Sequence, residues 1–202
     1  TILSHAAHQV GRGWGFGIHE ALDQVGAVAG PLVFAASLAI RGGYGDGFAL
    51  MVIPFILLVV SLFLAWRLIP DPVSLEEAHA VNHDEVHTPR ILLPYGVFTV
   101  FSMAGFLVFP LMAYHFSATS SVPEVQIPVF FAIAMAVDAL SALLLGRLYD
   151  RTGLKVLVLI PLANIPIAPL AFFFGYQGAC VAAILWGFSM GGQETILRAA
   201  LA

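Results

Sequence analysis

Three carboxyl side chains occur inside or at the end of long apolar stretches, where an acidic group is suited to taking up a proton or contacting a substrate. Asp138 lies within the apolar run 125–145. Glu20 and Asp23 share a helix face, with His19 beside them. The alternative for Asp138 is a neutral or hydrogen-bonded group that links two helices, and for Glu20 and Asp23 it is a water-wetted helix end. We take all three as candidate coupling or substrate residues.

Ser189 is a candidate nucleophile of a different kind. The run Gly187-Phe188-Ser189-Met190-Gly191 fits the Gly-x-Ser-x-Gly pattern of a hydrolase nucleophile elbow. That chemistry needs a strand before the serine, a helix after it, and then an acid and a histidine in order. No histidine follows Ser189 in this chain. A patch of small residues in a transmembrane helix explains the run equally well.

Three histidines in a polar stretch could stack on one helix face. His79, His83 and His87 recur every fourth residue, and imidazole groups are ligands for Zn²⁺ or Ni²⁺. No apolar shell would enclose such a site, so a solvated acidic linker is the alternative. The single cysteine, Cys180, excludes a disulfide framework and a cysteine-based metal site. We therefore predict no bound metal and no cofactor.

The composition identifies lipid as the solvent of most of the chain. Of the 202 residues, 60% are hydrophobic and only 10% are charged, with a mean hydropathy of +0.94. Soluble domains average about a quarter charged residues, and a soluble fold of this size could not bury so much apolar surface. The net charge of −4 does not indicate nucleic-acid binding. The expected surroundings are a lipid bilayer, with no nucleic acid as a partner.

Six apolar runs are each near the roughly 20 residues that a helix needs to cross a bilayer. They are residues 16–40, 48–68, 91–116, 125–145, 156–174 and 178–200. Prolines in these runs do not rule out transmembrane helices, because neighbouring helices in lipid can satisfy the backbone groups that a proline leaves without a partner. The predicted fold class is an all-α polytopic transmembrane bundle, in which Asp138 lies roughly 18 Å from the loop at Asp150, near mid-membrane.

The basic residues predict the orientation of these spans. If the connections alternate between sides, seven cations fall on one side and only Arg41 falls on the other. The seven are Arg12, Arg67, Arg90, Arg147, Arg151, Lys155 and Arg198. Such a bias marks the cytoplasmic side of a cell (inner) membrane protein. The linker 69–90 and the loop 146–155 are therefore predicted to be cytoplasmic.

The stretch 146–155 joins two of the predicted spans and combines glycines with charged residues. It reads Gly-Arg-Leu-Tyr-Asp-Arg-Thr-Gly-Leu-Lys. Gly146 would let two helix ends approach closely, and Gly153 would permit a sharp reversal. Asp150 could face the positive N-terminal end of a nearby helix. These features predict a tight hairpin at a membrane surface.

The stretch 146–155 resembles motif A, the loop signature of the major facilitator superfamily of secondary transporters. Arg151 and Lys155 fall in register with that signature, as do the glycines and Asp150. Tyr149 stands where a small residue is common. In that family the loop joins helices 2 and 3, and again helices 8 and 9, on the cytoplasmic side. The resemblance implies that contacts of this loop hold the cytoplasmic side closed in one conformation and release it in the other. The alternative is a basic inter-helix loop in some other polytopic protein.

A second resemblance involves Gly17, Gly26, Gly30 and Pro31, whose spacing is similar to the helix-5 signature of the family's antiporter branch. The final glycine pair of that signature is absent here. Gly26 and Gly30, one turn apart, would make a flat strip for close helix packing, and Pro31 would bend the helix. Ordinary small-residue packing and a gating role are the two interpretations.

Glu194 is a candidate partner for the 146–155 loop. In the family, an acidic residue on helix 4 binds the motif A loop of the first half of the protein. The second half repeats the architecture of the first. The resemblance therefore implies that Glu194 pairs with Arg147 or Arg151. Its role would be conformational, stabilising one access state.

The segment 1–7 recurs loosely as 195–201. Because such transporters are built from two parallel six-helix halves, the resemblance implies the middle of a twelve-helix protein, with about six full spans and part of a seventh. Residues 1–68 would hold the tail of helix 4 and helices 5 and 6. Residues 69–90 would be the linker, and residues 91–202 would hold helices 7 to 10.

The function implied by the resemblance is secondary active transport of a small solute by alternating access, without enzymatic activity. Protons are the candidate coupling ion. Two other classes stay open from the residues themselves: a membrane-associated serine hydrolase that uses Ser189, and a non-transporting polytopic membrane protein.

Overall fold

The structure is a computed structural model that describes residues 11–41, 44–68 and 89–201. In these ranges the chain is helical and has no β-strand, which confirms the all-α prediction. The α-helices are α1 Arg12–Arg41, α2 Tyr44–Leu50, α3 Val52–Leu68, α4 Pro89–Ala104, α5 Phe109–Ala118, α6 Ile127–Thr152, α7 Leu159–Asn164, α8 Ile167–Phe173 and α9 Gly175–Leu201. Two 3₁₀ segments, Glu124–Gln126 and Gly153–Val158, flank α6.

Four helical stretches of the described ranges are long and apolar enough to cross a membrane: Arg12–Ile40, Gly45–Leu68, Gly96–Ala118 and Glu124–Phe173. The last of these takes in two of the predicted spans. In α3, an apolar helix of 17 residues, no residue is buried. A helix that is apolar all round and exposed needs lipid around it. The chain is therefore a multi-pass membrane protein.

Helix α6 is the centre of the bundle, with α1 packed along one side and α9 along another. A large apolar cluster forms where α5, α8 and α9 meet α6, and it includes Phe116, Phe130 and Trp186. A smaller cluster, which includes Leu145 and Ile160, lies towards the C-terminal end of α6. The three long helices α1, α6 and α9 therefore position the polar residues Glu20, Asp138, Asp150, Glu194 and Arg198.

The third predicted span, 91–116, is not one helix. Helix α4 ends at Ala104 and α5 begins at Phe109, with an irregular segment between them. Pro110 lies at the start of α5, where its missing N–H costs nothing. The backbone oxygen of Leu107 in this break accepts a hydrogen bond from Nε1 of Trp186 on α9, at 2.6 Å. A side chain from another helix thus satisfies a carbonyl that the break leaves without an intrahelical partner.

The fifth predicted span, 156–174, is also interrupted. It consists of the 3₁₀ segment Gly153–Val158 followed by the short helices α7 and α8. Pro161, Pro166 and Pro169 remove backbone donors along this stretch, so a continuous ladder of helical hydrogen bonds cannot form.

The predicted hairpin 146–155 is mostly helix. Helix α6 continues to Thr152, and the chain reverses only at Gly153, whose φ of +63° is readily adopted by glycine. The first predicted span, 16–40, begins earlier than expected, since α1 starts at Arg12. Residues 69–88, with His79, His83 and His87, lie outside the described ranges. So do residues 1–10.

Candidate functional site

Asp150 joins the C-terminal end of α6 to the N-terminal end of α1. Its Oδ1 accepts a hydrogen bond from the backbone N–H of Gly13, and its Oδ2 accepts one from the backbone N–H of Trp14, both at 2.8 Å. The first N–H groups of a helix have no intrahelical acceptor and carry the positive end of the helix dipole. A carboxylate at this position satisfies both groups at once. Gly11, with φ +99°, makes room, because an added Cβ would come within 2.5 Å of Asp150 Oδ2.

Arg147 makes a second contact across the same two helices. Its guanidinium lies 3.6 Å from the centroid of the Trp14 ring, well inside the range of a cation–π interaction. Arg151 and Lys155 are exposed at the same end of the bundle. We call the contacts of Asp150 and Arg147 with residues 13–14 the α1–α6 junction.

Small residues let the two helices approach closely enough for this junction to form. A Cβ on Gly13 would overlap the backbone oxygen of Gly146, and a Cβ on Gly146 would overlap that of Gly13. One turn further along, a Cβ on Gly17 would lie 2.7 Å from the backbone oxygen of Ala142. Two pairs of small residues four apart therefore face each other, the arrangement that favours close helix packing in lipid.

The described residues do not pack closely against Gly26 or Gly30, so the packing predicted for these two glycines stays a prediction. No atom lies within 4 Å of a Cβ built on either glycine. Pro31 does lie inside α1. It borders a shallow apolar cleft together with Gly30. The close-approach glycines of α1 are Gly13 and Gly17, because only the first half of the helix lies against α6 through small residues.

A second small-residue strip joins α6 to α9. A Cβ on Gly187 would overlap the backbone oxygen of Ala134, and a Cβ on Gly191 would lie 2.8 Å from Oδ1 of Asp138. Ser189, between these glycines, is fully buried in the middle of α9, and no strand precedes it. The hydrolase interpretation is therefore wrong, since a nucleophile elbow exposes its serine on a strand-to-helix turn. The Gly-x-Ser-x-Gly run is a helix-packing patch.

Asp138 is buried between these helices. Its exposed fraction is 0%, and neither carboxyl oxygen has a hydrogen-bond partner among the described residues. The charged groups that act on it are Glu20, Glu194 and Arg198. A carboxyl in lipid-embedded surroundings is stable only when it is protonated, paired or in contact with water. Asp138 is therefore a chemically unusual group at the centre of the bundle.

Glu20, Glu194 and Arg198 form an ion-pair cluster between α1 and α9. Arg198 donates to Glu20 at 2.9 Å and to Glu194 at 3.4 Å. Glu20 is only 2% exposed and also accepts a hydrogen bond from Gln24 at 2.8 Å. Two carboxylates share one guanidinium, so the cluster has a formal charge of −1 when all three groups are ionised.

The ion pair predicted between Glu194 and Arg147 or Arg151 is not formed. Glu194 pairs instead with Arg198, four residues later on α9, because residues four apart on a helix are neighbours. Arg147 lies against Trp14. The junction and the ion-pair cluster are thus two separate links between α1 and the rest of the bundle.

Asp23 and His19 lie beside the cluster but are exposed. His19 Nδ1 is 3.6 Å from Asp23 Oδ2, and these side chains are 47% and 62% exposed. Ligand atoms of His19, Glu20 and Asp23 all lie within 4.8 Å of one another. Glu20 already binds Arg198 and Gln24, so these three residues make a charged helix end rather than a closed metal cage.

Two polar contacts of α9 were not singled out from the sequence. Arg198 counted only as one of the basic residues that set the orientation, although its spacing from Glu194 was a usable signal. Gln193 gave no signal at all, because an amide near a helix end is common. In the structure it is 1% exposed and donates to Ser102 of α4 at 2.8 Å.

Comparison with known proteins identifies the family of this chain. Residues 1–202 match the family model described as Major Facilitator Superfamily. Uncharacterised proteins of Mycobacterium bovis and of two strains of Mycobacterium tuberculosis are each 38% identical over 208 residues, with 100% of this chain and 51% of each relative covered. The chain thus spans about half the length of the curated relatives it matches. No solved structure gives a significant match. Since the family model covers every residue given, the chain belongs to the Major Facilitator Superfamily.

Proposed function

We propose that the full-length protein is a secondary transporter that moves a small solute across the cell membrane by alternating access. The observation that carries this proposal is the α1–α6 junction. It connects helix α1, which precedes the segment 69–88, to helix α6, which follows it. Non-covalent contacts of this kind can open and close a path to one side of the membrane without unfolding either helix.

The strength of the junction suits a reversible contact. A carboxylate at a helix N-terminus contributes about 0.3–2 kcal/mol, and a cation–π pair contributes about 0.5–2 kcal/mol. A sum of a few kcal/mol favours one conformation while leaving the other populated. The concentration of Arg147, Arg151 and Lys155 at this end supports a cytoplasmic location for the junction.

We further propose that Asp138 couples transport to protons. The group is fully buried, has no hydrogen-bond donor among the described residues, and is influenced by the ion-pair cluster. Opening of the bundle would expose it to water and permit exchange of its proton, whereas closure would favour the neutral acid. This cycle requires no cofactor and no catalytic residue.

A flux measurement tests the proposal. The full-length protein would be reconstituted in proteoliposomes with an imposed proton gradient and a mixture of sugars, amino acids, organic anions and organic cations, and the contents read by mass spectrometry. We expect at least one solute to accumulate above protein-free liposomes, at a changed rate in Asp150→Asn. No flux of any solute class would support a non-transporting membrane protein instead.

A further inference from the structure

Four basic residues gather at the end of the bundle where α1 begins and α6 ends. Arg147 and Arg151 are exposed and lie four residues apart on α6, so they are neighbours on its surface. Lys155 lies in the 3₁₀ segment that follows this helix. The charge of Arg12, at the start of α1, acts on Tyr149 of α6. We call Arg12, Arg147, Arg151 and Lys155 the basic surface.

The basic surface carries more positive charge than the described residues of the junction neutralise. Asp150 is the acidic side chain at this place, and both of its oxygens accept hydrogen bonds from the first turn of α1. Arg151 and Lys155 are exposed and form no ion pair with a described residue. Four cations against one carboxylate leave a formal charge of +3 at the junction.

The segment between α3 and α4 has the opposite charge. Residues 69–88 lie outside the described ranges, and their sequence contains five acidic residues and neither Lys nor Arg. The five are Asp71, Glu76, Glu77, Asp84 and Glu85. The formal charge of the segment is therefore −5 when its histidines are neutral.

The start of α4 places one end of this segment on the side of the basic surface. Phe98 of α4 packs against the cluster that includes Leu145, towards the C-terminal end of α6. Phe116 of α5 contacts Phe130, towards the N-terminal end of α6. The stretch α4–α5 therefore runs antiparallel to α6, and Pro89 lies at the end of the bundle where α6 ends. The 20 residues from 69 to 88 can span up to roughly 70 Å, which is long enough to reach all four cations.

We propose that the acidic segment 69–88 docks on the basic surface through its carboxylates. Attachment to α3 and α4 raises the effective concentration of these carboxylates at the surface. Anionic lipid headgroups are the competing occupant, but each brings only one or two charges. Because the basic surface includes residues of α1 and of α6, the docked segment binds both helices and favours the conformation in which they are joined. This contact does not depend on the proposed transport function.

Distance measurements in the full-length protein test the docking. Spin labels replace Ala80 and Leu154 in a background without other cysteines, in nanodiscs of phosphatidylcholine. We expect a short-distance population at low salt that falls at least roughly threefold at about 1 M NaCl, where the Debye length is about 3 Å. A distance distribution that does not respond to salt would overturn the proposal.

Charge variants identify the two partners. Arg151→Gln combined with Lys155→Gln should lower the short-distance population roughly threefold, as expected for exposed ion pairs. Arg67→Gln, at an exposed position near the end of α3, is the matched control and should leave it unchanged. Amides at the five acidic positions of the segment should have the same effect as the double variant, and the two sets together should add nothing.

Two results of these variants would contradict the docking. The first is a loss in Arg67→Gln that equals the loss in the double variant, or fully additive effects of the two sets. The second is a short-distance population that appears only after phosphatidylglycerol is added to the nanodiscs, since the occupant of the basic surface would then be anionic lipid.

The histidines of the segment make the docking sensitive to pH. Protonation of all three would change the charge of the segment from −5 to −2 opposite the basic surface and Asp150. Histidine titrates near pH 6.5, so the short-distance population should be largest above that pH and fall as the pH is lowered to about 5.5. Glutamine at His79, His83 and His87 should remove this response. A response that persists in that variant would show that the histidines do not control the contact.

Discussion

Gly13 and Gly146 approach each other so closely that a Cβ added to either residue would overlap the other's backbone oxygen. The two residues belong to helices far apart in the chain. Their contact brings Asp150 within hydrogen-bonding distance of the first turn of α1.

Alanine at Gly146 should weaken the α1–α6 packing by about 1–3 kcal/mol, the usual cost of overpacking. The overlap involves backbone atoms, so no side-chain rotation can relieve it. Gly26→Ala is the matched control, because its Cβ would meet no described residue within 4 Å, and it should be neutral or stabilise by up to about 1 kcal/mol. Unfolding of the full-length protein by SDS titration measures both free energies. Equal destabilisation by the two variants would contradict the packing.

Asp150→Asn should shift the conformational equilibrium towards a state in which α1 and the end of α6 are separated. The lost charge–dipole interaction is worth about 0.3–2 kcal/mol, which corresponds to a change in population of up to roughly thirtyfold. Spin labels at Ile18 and Leu154, in a background in which Cys180 and any other cysteine of the full-length protein are replaced by alanine, report the distance distribution. An unchanged distribution, or the same shift in Glu124→Gln, would rule out a specific role for the carboxylate.

Glu20 and Arg198 should show a favourable coupling energy of about 1–3 kcal/mol in a double-mutant cycle. Glu20 is buried, whereas the Arg198 side chain is 48% exposed, so water screens part of the interaction. The cycle uses Glu20→Gln, Arg198→Gln and the double variant, each measured by SDS unfolding. Asp23→Asn, at an exposed position, should change stability by less than about 0.5 kcal/mol. Additive effects of the two variants would show that the ion pair is energetically unimportant.

Trp186→Phe should destabilise the protein by about 1–3 kcal/mol, because it leaves the backbone oxygen of Leu107 without its donor. Hydrogen exchange should rise locally across the break at 105–108. Trp66→Phe is the control, since Trp66 is 66% exposed on α3. If hydrogen exchange at 105–108 stays at the wild-type level in Trp186→Phe, the indole hydrogen bond does not stabilise the break.

Asp138→Asn should abolish acceleration of uptake by a proton gradient while leaving solute counterflow intact. The amide resembles the neutral acid in shape but cannot exchange a proton. Uptake and counterflow of a solute found in the flux screen would be compared in proteoliposomes, with Glu124→Gln as the control. Full proton-driven uptake by Asp138→Asn would remove the coupling role.

Much of the fold could be predicted from the sequence because hydropathy is a local property. A run of about 20 apolar residues crosses a bilayer whatever its neighbours are, and the all-α class follows from that. The family could be recognised from the charged stretch 146–155 for a similar reason, since its residues are contiguous. Helix continuity was less predictable. The break at 105–108 depends on Trp186, which lies 79 residues from Leu107.

The pairing of side chains was decided only by the tertiary structure. The sequence by itself established an apolar, helical, membrane-embedded chain and showed Asp150 to be suited to a helix N-terminus. It did not establish that α1 provides that terminus, that Gly13 and Gly17 lie in close packing with α6, or that Glu194 pairs with Arg198. Those outcomes depend on how each helix is rotated about its axis and shifted along its neighbour. Rotation and shift are set by the fit of whole helix surfaces, which no single stretch of sequence contains.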